Sequence, residues 1–274
     1  MTARGAWPRA WPALVGFALL AAGCGRSPRI ALPSGTGTPL PDFTSAYTEA
    51  TTECAAVRQL SASIRLSGRA GQTKLSARID AGFAAPARMR LEGFPRVSFG
   101  GRPFFIFVAD SRDSTLLLPH DGRVLRGAAP AEVVEALAGV PLGPADLRAL
   151  VAGCGLPSGP PSAAWSYADG WVRLQTGETA LFVRRLSGRW RVAGAARAGL
   201  HAAYTDFNSD RPASLQLRTD TGGVDLRLRF AEVEVDPSFD PRVFEVEVPS
   251  DAAPLTIEEL RRTGPLASEG PTAR

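Results

Sequence analysis

Alternation between apolar and polar residues is the dominant pattern of this 274-residue chain. Beyond about residue 60, apolar side chains occupy every second position in the segments 62–66, 75–79 and 87–91, and turn residues such as Gly71 and Gln72 separate them. A period of two places successive side chains on opposite faces of a strand. The three segments therefore predict an antiparallel meander with one apolar and one polar face.

The rest of the chain continues this pattern. The run 104–108 is apolar at every position, which predicts a strand covered on both faces, and 120–123 predicts a hairpin turn. Further strands are predicted at 115–118, 171–174, 180–183, 190–192, 201–204, 215–217, 224–235 and 244–248. We therefore expect a mainly β protein with ten to twelve strands in one large, curved antiparallel sheet or open barrel.

Helical periodicity interrupts the strands at four places. We predict a first helix over 42–60 with Asp42 as its N-cap, two short helices over 131–137 and 144–152, and a closing helix over 256–262. Gly139 and Gly153 follow the two short helices as C-terminal caps. A sheet with one apolar face needs a cover, and the first three helices are the candidates.

The chain divides by composition into four parts. Residues 1–23 are typical of an export signal, and 24–41 are rich in proline and glycine, which predicts a flexible tether. Residues 42–263 are expected to form a single folded domain, and 264–274 a disordered tail.

The start of the chain predicts its location. A basic segment precedes an apolar run over 13–22, which is too short to span a bilayer, and small residues then lead to Cys24. This order resembles a lipobox, so we expect cleavage after Gly23 and a lipid such as palmitate on Cys24. An ordinary cleaved signal with a chance cysteine is the alternative. Gly25 is not the aspartate associated with inner-membrane retention, which favours the outer membrane, facing the periplasm.

Charge and cysteine content limit the partners and the disulfide chemistry that we expect of this protein. The formal net charge is +4, and no block of like charges occurs along the chain, so we expect no nucleic-acid partner. Export would place Cys54 and Cys154 in an oxidising compartment, where they either form a disulfide or remain two buried thiols.

The sequence is poor in catalytic groups. Its only histidines are His120 and His201, and no metal-ligand spacing, nucleophile elbow, P-loop or dinucleotide motif occurs. Five carboxylates could pair in space, although nothing in their spacing favours it: Asp80, Asp110, Asp113, Glu232 and Glu234. We therefore expect a protein that is not an enzyme and that uses no cofactor or metal; a hydrolase using either histidine is a third hypothesis.

The order of elements resembles that of the bacterial lipoprotein-carrier superfamily. The matching features are the lipobox at Cys24, the tether, the first helix and several segments of the sheet. Those segments are Ser-Ala-Ser-Ile-Arg-Leu-Ser-Gly-Arg-Ala at 61–70, Ala-Arg-Met-Arg-Leu-Glu at 87–92, Phe-Phe-Ile-Phe-Val-Ala-Asp at 104–110, the helical stretch 139–153 and Phe-Glu-Val-Glu-Val-Pro-Ser-Asp-Ala at 244–252. The resemblance implies an unclosed β-barrel with a helical lid over a hydrophobic cavity, and binding and transfer of lipids or lipoprotein acyl chains.

Two groups of candidate residues follow. The cavity candidates, chosen by alternation, are Ile64, Leu66, Leu75, Ile79, Met89, Leu91, Phe105, Phe107, Leu226 and Leu228. The superfamily's outer-membrane receptor reaches the membrane with an apolar loop early in its sheet, for which Phe94, Val97 and Phe99 are the candidates here.

The leading hypothesis is thus an envelope lipoprotein, anchored through Cys24, that binds lipid or an acylated protein in an open barrel. The alternative is a structural or assembly lipoprotein that acts through an unknown protein partner and whose apolar sheet face is simply a core. Both require the same alternation, and the volume of the cavity distinguishes them.

Overall fold

The computed structural model describes residues 31–95, 101–156, 159–209 and 211–266. The strands of this part of the chain are β1 (Thr38–Pro39), β2 (Gln59–Ala70), β3 (Thr73–Ala84), β4 (Arg88–Phe94), β5 (Phe105–Ala109), β6 (Ser114–Leu118), β7 (Arg123–Arg126), β8 (Ala163–Ser166), β9 (Val172–Thr176), β10 (Thr179–Leu186), β11 (Arg189–Arg197), β12 (Leu200–Asn208), β13 (Arg211–Thr219), β14 (Val224–Val235) and β15 (Ala253–Pro254). The helices are α1 (Thr44–Ala56), α2 (Pro130–Ala138), α3 (Pro144–Ala152) and α4 (Ile257–Thr263), with short 3-10 turns at Ala168–Gly170 and Pro241–Phe244.

All of these strands belong to one sheet, in the order β1-β8-β9-β10-β11-β12-β13-β14-β2-β3-β4-β5-β6-β7-β15. Every neighbouring pair is antiparallel except β7 and β15, which run parallel. The two edge strands lie at opposite ends of this order, so the sheet does not close on itself. The fold class is therefore confirmed as mainly β, with an unclosed barrel and a helical cover.

Pairing register assigns each side chain to one of two faces. Leu66 lies opposite both Ala77 and Leu228, and all three point to the inner face, which the helices cover. The preceding residue, Arg65, lies opposite Arg78 on the outer face. Because a slip of one residue would exchange the two faces, burial of the aliphatic set fixes this register.

The helices occupy distinct parts of the inner face. Helix α3 lies over β13, β2, β3 and β4, α1 lies against β10 and β11, and α2 packs against α4. The predicted caps are present, because Gly139 and Gly153 end α2 and α3 in the left-handed conformation, with φ of 77° and 90°. Such a φ is unfavourable for residues with a Cβ.

The first helix is shorter than predicted. It begins at Thr44 with Phe43 at the N-cap position and no side-chain cap, so the assignment of Asp42 was wrong. It ends at Ala56 because Val57 is extended, and Leu60 already belongs to β2.

The predicted final strand at 244–248 is also wrong. The chain there forms the 3-10 turn Pro241–Phe244 and then an irregular segment. Side chains of β4 hold it instead of a backbone ladder: Arg90 Nη1 donates to the carbonyls of Val243 and Glu245, and the guanidinium of Arg88 lies 5.0 Å from the ring centre of Phe244. Alternation alone did not reveal that these contacts replace strand pairing.

The chain is ordered beyond the limits that composition suggested. Within the predicted tether, β1 pairs with β8, and Leu32 packs against an apolar cluster on β10 and β11. Within the predicted tail, Leu266 is 3 % exposed, and its carbonyl accepts a hydrogen bond from the Ser76 amide. Both segments meet backbone that has no other strand beside it. One edge of β8 is open to β1, and the start of β3 extends past the end of β4, so each can pair with a short segment of any composition.

Candidate functional site

A cavity of about 80 Å³ lies between the inner face of the sheet and helices α2 and α3. Apolar side chains from the sheet, from both helices and the segment between them, and from Leu266 form its wall. They are Ile64, Leu66, Ile79, Phe83, Leu91, Phe105, Val134, Leu137, Ala138, Val140, Leu142, Leu147, Leu150, Val151, Leu215, Leu217, Leu226, Leu228 and Leu266. With no charged or hydrogen-bonding side chain in this wall, a ligand would be held by apolar contact.

Seven of the ten cavity candidates line this space: Ile64, Leu66, Ile79, Leu91, Phe105, Leu226 and Leu228. The other three, Leu75, Met89 and Phe107, are buried in the same core without lining the cavity. Twelve lining residues were not among the candidates: Phe83, Leu215 and Leu217 of the sheet, the residues of α2 and α3, Val140 and Leu142 between these helices, and Leu266. The apolar positions of the two short helices were a usable signal, whereas nothing in the polar tail pointed to Leu266.

A buried tyrosine fixes the end of α3 to the sheet. Tyr204 on β12 is fully buried, and its hydroxyl donates to the carbonyl of Leu150 at 2.7 Å and accepts from the Gly155 amide at 3.1 Å. Burial raises the pKa of Tyr204, so its phenol stays neutral.

A disulfide joins Cys54 on α1 to Cys154, which follows α3, with a Cα–Cα distance of 5.5 Å. At its other end, α3 holds the sheet through two hydrogen bonds between Asp146 and Arg197, at 2.8 and 3.0 Å. Arg148 also donates to the carbonyl of Val57 at 2.6 Å. Helix α3 is therefore attached at both ends by covalent and polar contacts.

Charged contacts likewise attach α1 to β11. Glu53 accepts hydrogen bonds from Arg189 at 2.7 Å and from Arg191 at 2.8 Å. These two guanidinium groups hold the pKa of the Glu53 carboxyl below its usual value.

Helix α2 is attached in a different way. Val133, Val134 and Leu137 bury its apolar face, and the ion pair between Glu135 and Arg261 of α4 measures 3.8 Å with both side chains about half exposed. An exposed pair of this length contributes little to stability. Apolar packing is thus the main force that keeps α2 in place.

The candidate catalytic groups do not assemble into a site. His120 is exposed, and His201 Nε2 lies 2.6 Å from Asp220 Oδ1; within the described ranges, no hydroxyl or thiol hydrogen-bonds to His201. Asp80 pairs with Arg78, while Asp110 accepts from amides of its own turn, which lowers its pKa. No set of three potential metal ligands occurs among the described residues.

Phe94 does not present an apolar tip, because it is 7 % exposed and the guanidinium of Arg78 lies 4.4 Å from its ring centre. This differs from the predicted membrane-contact role, and the reason is that Phe94 ends β4 inside the sheet. Val97, Phe99 and Cys24 lie outside the described residues. No helix within the described ranges has the length and apolar character needed to cross a membrane.

Comparison with models of known protein families and with curated proteins finds no match. Several solved structures are similar. A DUF1329 family protein from Desulfovibrio piger has a TM-score of 0.49 at 10 % identity, over 74 % of this chain and 97 % of that one. A LolA superfamily protein from Nitrosomonas europaea has a TM-score of 0.48 at 12 % identity, over 74 % and 96 %. Lipoprotein LppX from Mycobacterium tuberculosis has a TM-score of 0.31 at 10 % identity, over 73 % and 98 %.

Proposed function

We propose that this chain is a lipid-anchored protein of the bacterial envelope that binds an acyl chain between its sheet and helices α2 and α3. The observation that carries the proposal is the cavity, because every side chain that lines it is apolar. An alkyl chain needs no polar partner, and such a wall provides none. The lipid on Cys24 and the outer-membrane location belong to the same proposal and rest on the sequence.

Binding requires the cavity to expand. Its volume of about 80 Å³ is smaller than the roughly 150 Å³ of a cavity that binds benzene. Helix α2 is the element that can move, because α3 is held at both ends by the disulfide, Tyr204 and the Asp146–Arg197 pair. We therefore place the entry of the acyl chain beneath α2.

The energies are compatible with this movement. Displacing α2 exposes Val133, Val134 and Leu137, at about 1.5–3 kcal/mol for each side chain. An acyl chain of about sixteen carbons that leaves water gains roughly 0.8 kcal/mol for each buried CH₂, or about 12 kcal/mol before the entropy of binding is subtracted. The gain therefore offsets the cost of opening.

Filling the cavity tests the proposal. Ala138 lies at the end of α2 and lines the cavity, whereas Ala131 lies at the start of the same helix, is also half-buried and does not line it. We expect Ala138→Trp to weaken binding of a fluorescent hexadecanoic acid at least ~10-fold, which is about 1.4 kcal/mol, and Ala131→Trp to leave it unchanged. Native mass spectrometry of the purified chain should also detect a co-purified acyl lipid. Failure of the wild-type chain to bind the probe, or equal binding by the two variants, would refute the acyl site.

The small volume also favours a second function. If the interior is a packed core and nothing enters it, the chain is a structural or assembly protein of the envelope that acts through a protein partner. The fluorescence titration separates the two functions, because this second one predicts that the wild-type chain binds no fatty acid at any accessible concentration.

A further inference from the structure

Part of the outer face of strands β13, β14, β2 and β3 carries a concentration of positive charge. Pairing register arranges its side chains in three lateral rows across β13, β14, β2 and β3, which we call the basic rows. They are Arg218–Asp225–Arg69–Lys74, Gln216–Arg227–Ser67–Ser76 and Ser214–Arg229–Arg65–Arg78. Seven of these twelve side chains are Arg or Lys, and one is acidic. The chain as a whole is nearly balanced, with 31 basic and 27 acidic residues, so the concentration is local.

The third basic row places like charges side by side. Arg65 lies directly opposite both Arg78 and Arg229. Side chains in such positions are about 5 Å apart at Cβ, which is less than the screening length of about 8–10 Å, so this row concentrates positive charge. Arg78 is paired with Asp80 at 3.3 Å, but within the described ranges neither Arg65 nor Arg229 takes part in an ion pair or a side-chain hydrogen bond. An external anion would supply Arg65 and Arg229 with a counter-charge.

The N-terminal segment reaches the sheet on the same face. Leu32 lies against Gly194 of β11, so closely that a Cβ at that glycine would be 2.5 Å from Leu32 Cδ2. Gly194 pairs with Ala203, Ala203 with Gln216, and Gln216 with Arg227, so Gly194 extends the second basic row. At about 4.8 Å for each strand, Leu32 lies roughly 14 Å from Arg227 along that row.

The length of chain between Leu32 and Cys24 keeps the proposed anchor within reach of the basic rows. Cys24 precedes Leu32 by eight residues, which span at most about 27 Å even when fully extended. A lipid on Cys24 can therefore reach a membrane that lies against the outer face.

We propose that the basic rows bind the anionic head groups of phospholipids at the surface of the membrane that holds the Cys24 anchor, an inference that rests on the proposed lipid anchor. Guanidinium groups donate charge-assisted hydrogen bonds to phosphate oxygens. A nucleic acid fits less well, because the rows contain no aromatic ring on which a base could stack, and Phe94 at their edge is covered by Arg78.

Vesicle flotation tests this inference without the anchor. The protein is the chain from residue 24 onwards with Cys24→Ser, which keeps every described residue. We expect it to float with vesicles that contain about 30 % phosphatidylglycerol at about 0.1 M NaCl, to stay unbound with pure phosphatidylcholine, and to be released as salt rises. Since each Arg near an anionic surface strengthens binding about five-fold, the triple variant Arg65→Gln, Arg69→Gln, Arg229→Gln should bind about 100-fold more weakly.

A matched variant controls for net charge. The substitutions Arg112→Gln, Arg242→Gln and Arg262→Gln remove an equal number of charges from exposed positions outside the basic rows. The affinity of this variant for the vesicles should fall less than about 3-fold. Equal losses in the two variants, or equal binding to both kinds of vesicle, would overturn the inference. A short DNA duplex that displaces the vesicles at equimolar phosphate would also overturn it and assign the rows to nucleic acid. The fatty-acid titration of the triple variant measures binding to the cavity separately. A negative flotation result therefore does not decide whether the acyl site exists.

Discussion

Replacing Tyr204 by phenylalanine should remove one of the contacts that fix α3 above the cavity. The substitution deletes only the hydroxyl, so the apolar packing of the ring is kept. The Leu150 carbonyl retains a second donor, because the Gly153 amide lies 3.2 Å from it. The buried Gly155 amide, by contrast, loses the tyrosine oxygen at 3.1 Å, its acceptor in the present structure.

The magnitude follows from this difference. A buried amide without an acceptor costs about 1–3 kcal/mol, so we expect Tyr204→Phe to lower the free energy of unfolding by about 2 kcal/mol. Because burial raises the pKa of Tyr204, the phenol is neutral at any pH at which the protein is handled, and the loss should be the same from about pH 6 to 9.

Urea unfolding measures this loss, with the slope m expected to stay unchanged. Tyr47→Phe is the matched control, because the Tyr47 hydroxyl donates to the Gly159 carbonyl at 3.3 Å in an exposed position, and a surface change of this kind costs less than about 0.5 kcal/mol. Amide hydrogen exchange should show faster exchange at Gly155 in the Tyr204→Phe variant. If the two variants lose equal stability, the Tyr204 hydroxyl does not support the end of α3, and the reasoning fails.

Two further predictions concern the attachments of α1. Replacing Cys54 and Cys154 by serine opens a loop with a sequence separation of 100, and the chain-entropy account gives a loss of about 4–5 kcal/mol in urea unfolding under non-reducing conditions; a loss below about 1 kcal/mol would contradict it. Hydrogen bonds from Arg189 and Arg191 hold the folded-state pKa of Glu53 below its ordinary 4.5, so the stability that this carboxylate contributes is complete above that pH and is lost as the pH falls through the lower folded-state pKa. The stability advantage of the wild type over Glu53→Gln should therefore shrink between about pH 5 and 3, and a pH-independent advantage would exclude these hydrogen bonds to the ionised carboxylate.

The inner face of the sheet could be predicted from alternation, because burial of one face requires apolar residues at every second position. Ile64, Leu66, Leu226 and Leu228 were assigned to one face from spacing alone, and the strands place them there. The run 104–108 shows no alternation, since it is apolar throughout. The pairing of Phe107 with Leu91 on β4 determines which of its residues point inward.

Other features depended on contacts between segments that are distant in sequence, and no local pattern encodes them. The segment at Phe244 alternates like a strand but is held by Arg88 and Arg90 side chains. Leu266 belongs to a polar stretch and is nevertheless buried, since the edge of β3 offers its backbone a partner at Ser76. The basic rows could not be predicted from the sequence for the same reason, because their arginines are scattered along the chain and only the pairing register brings them together.

The two proposals together orient the molecule. If the basic rows lie on the membrane, the inner face of the sheet and its cover of helices point away from that surface. An acyl chain that enters beneath α2 would then arrive from the side opposite to the anchor, by way of a soluble carrier or a second protein, and not directly from the bilayer below. The attachments of the helices agree with this arrangement, because α3 is held by the disulfide, Tyr204 and Asp146, while α2 depends on apolar packing that an incoming apolar chain can replace. The cavity would thus open where the helix cover is least strongly attached, on the side away from the membrane.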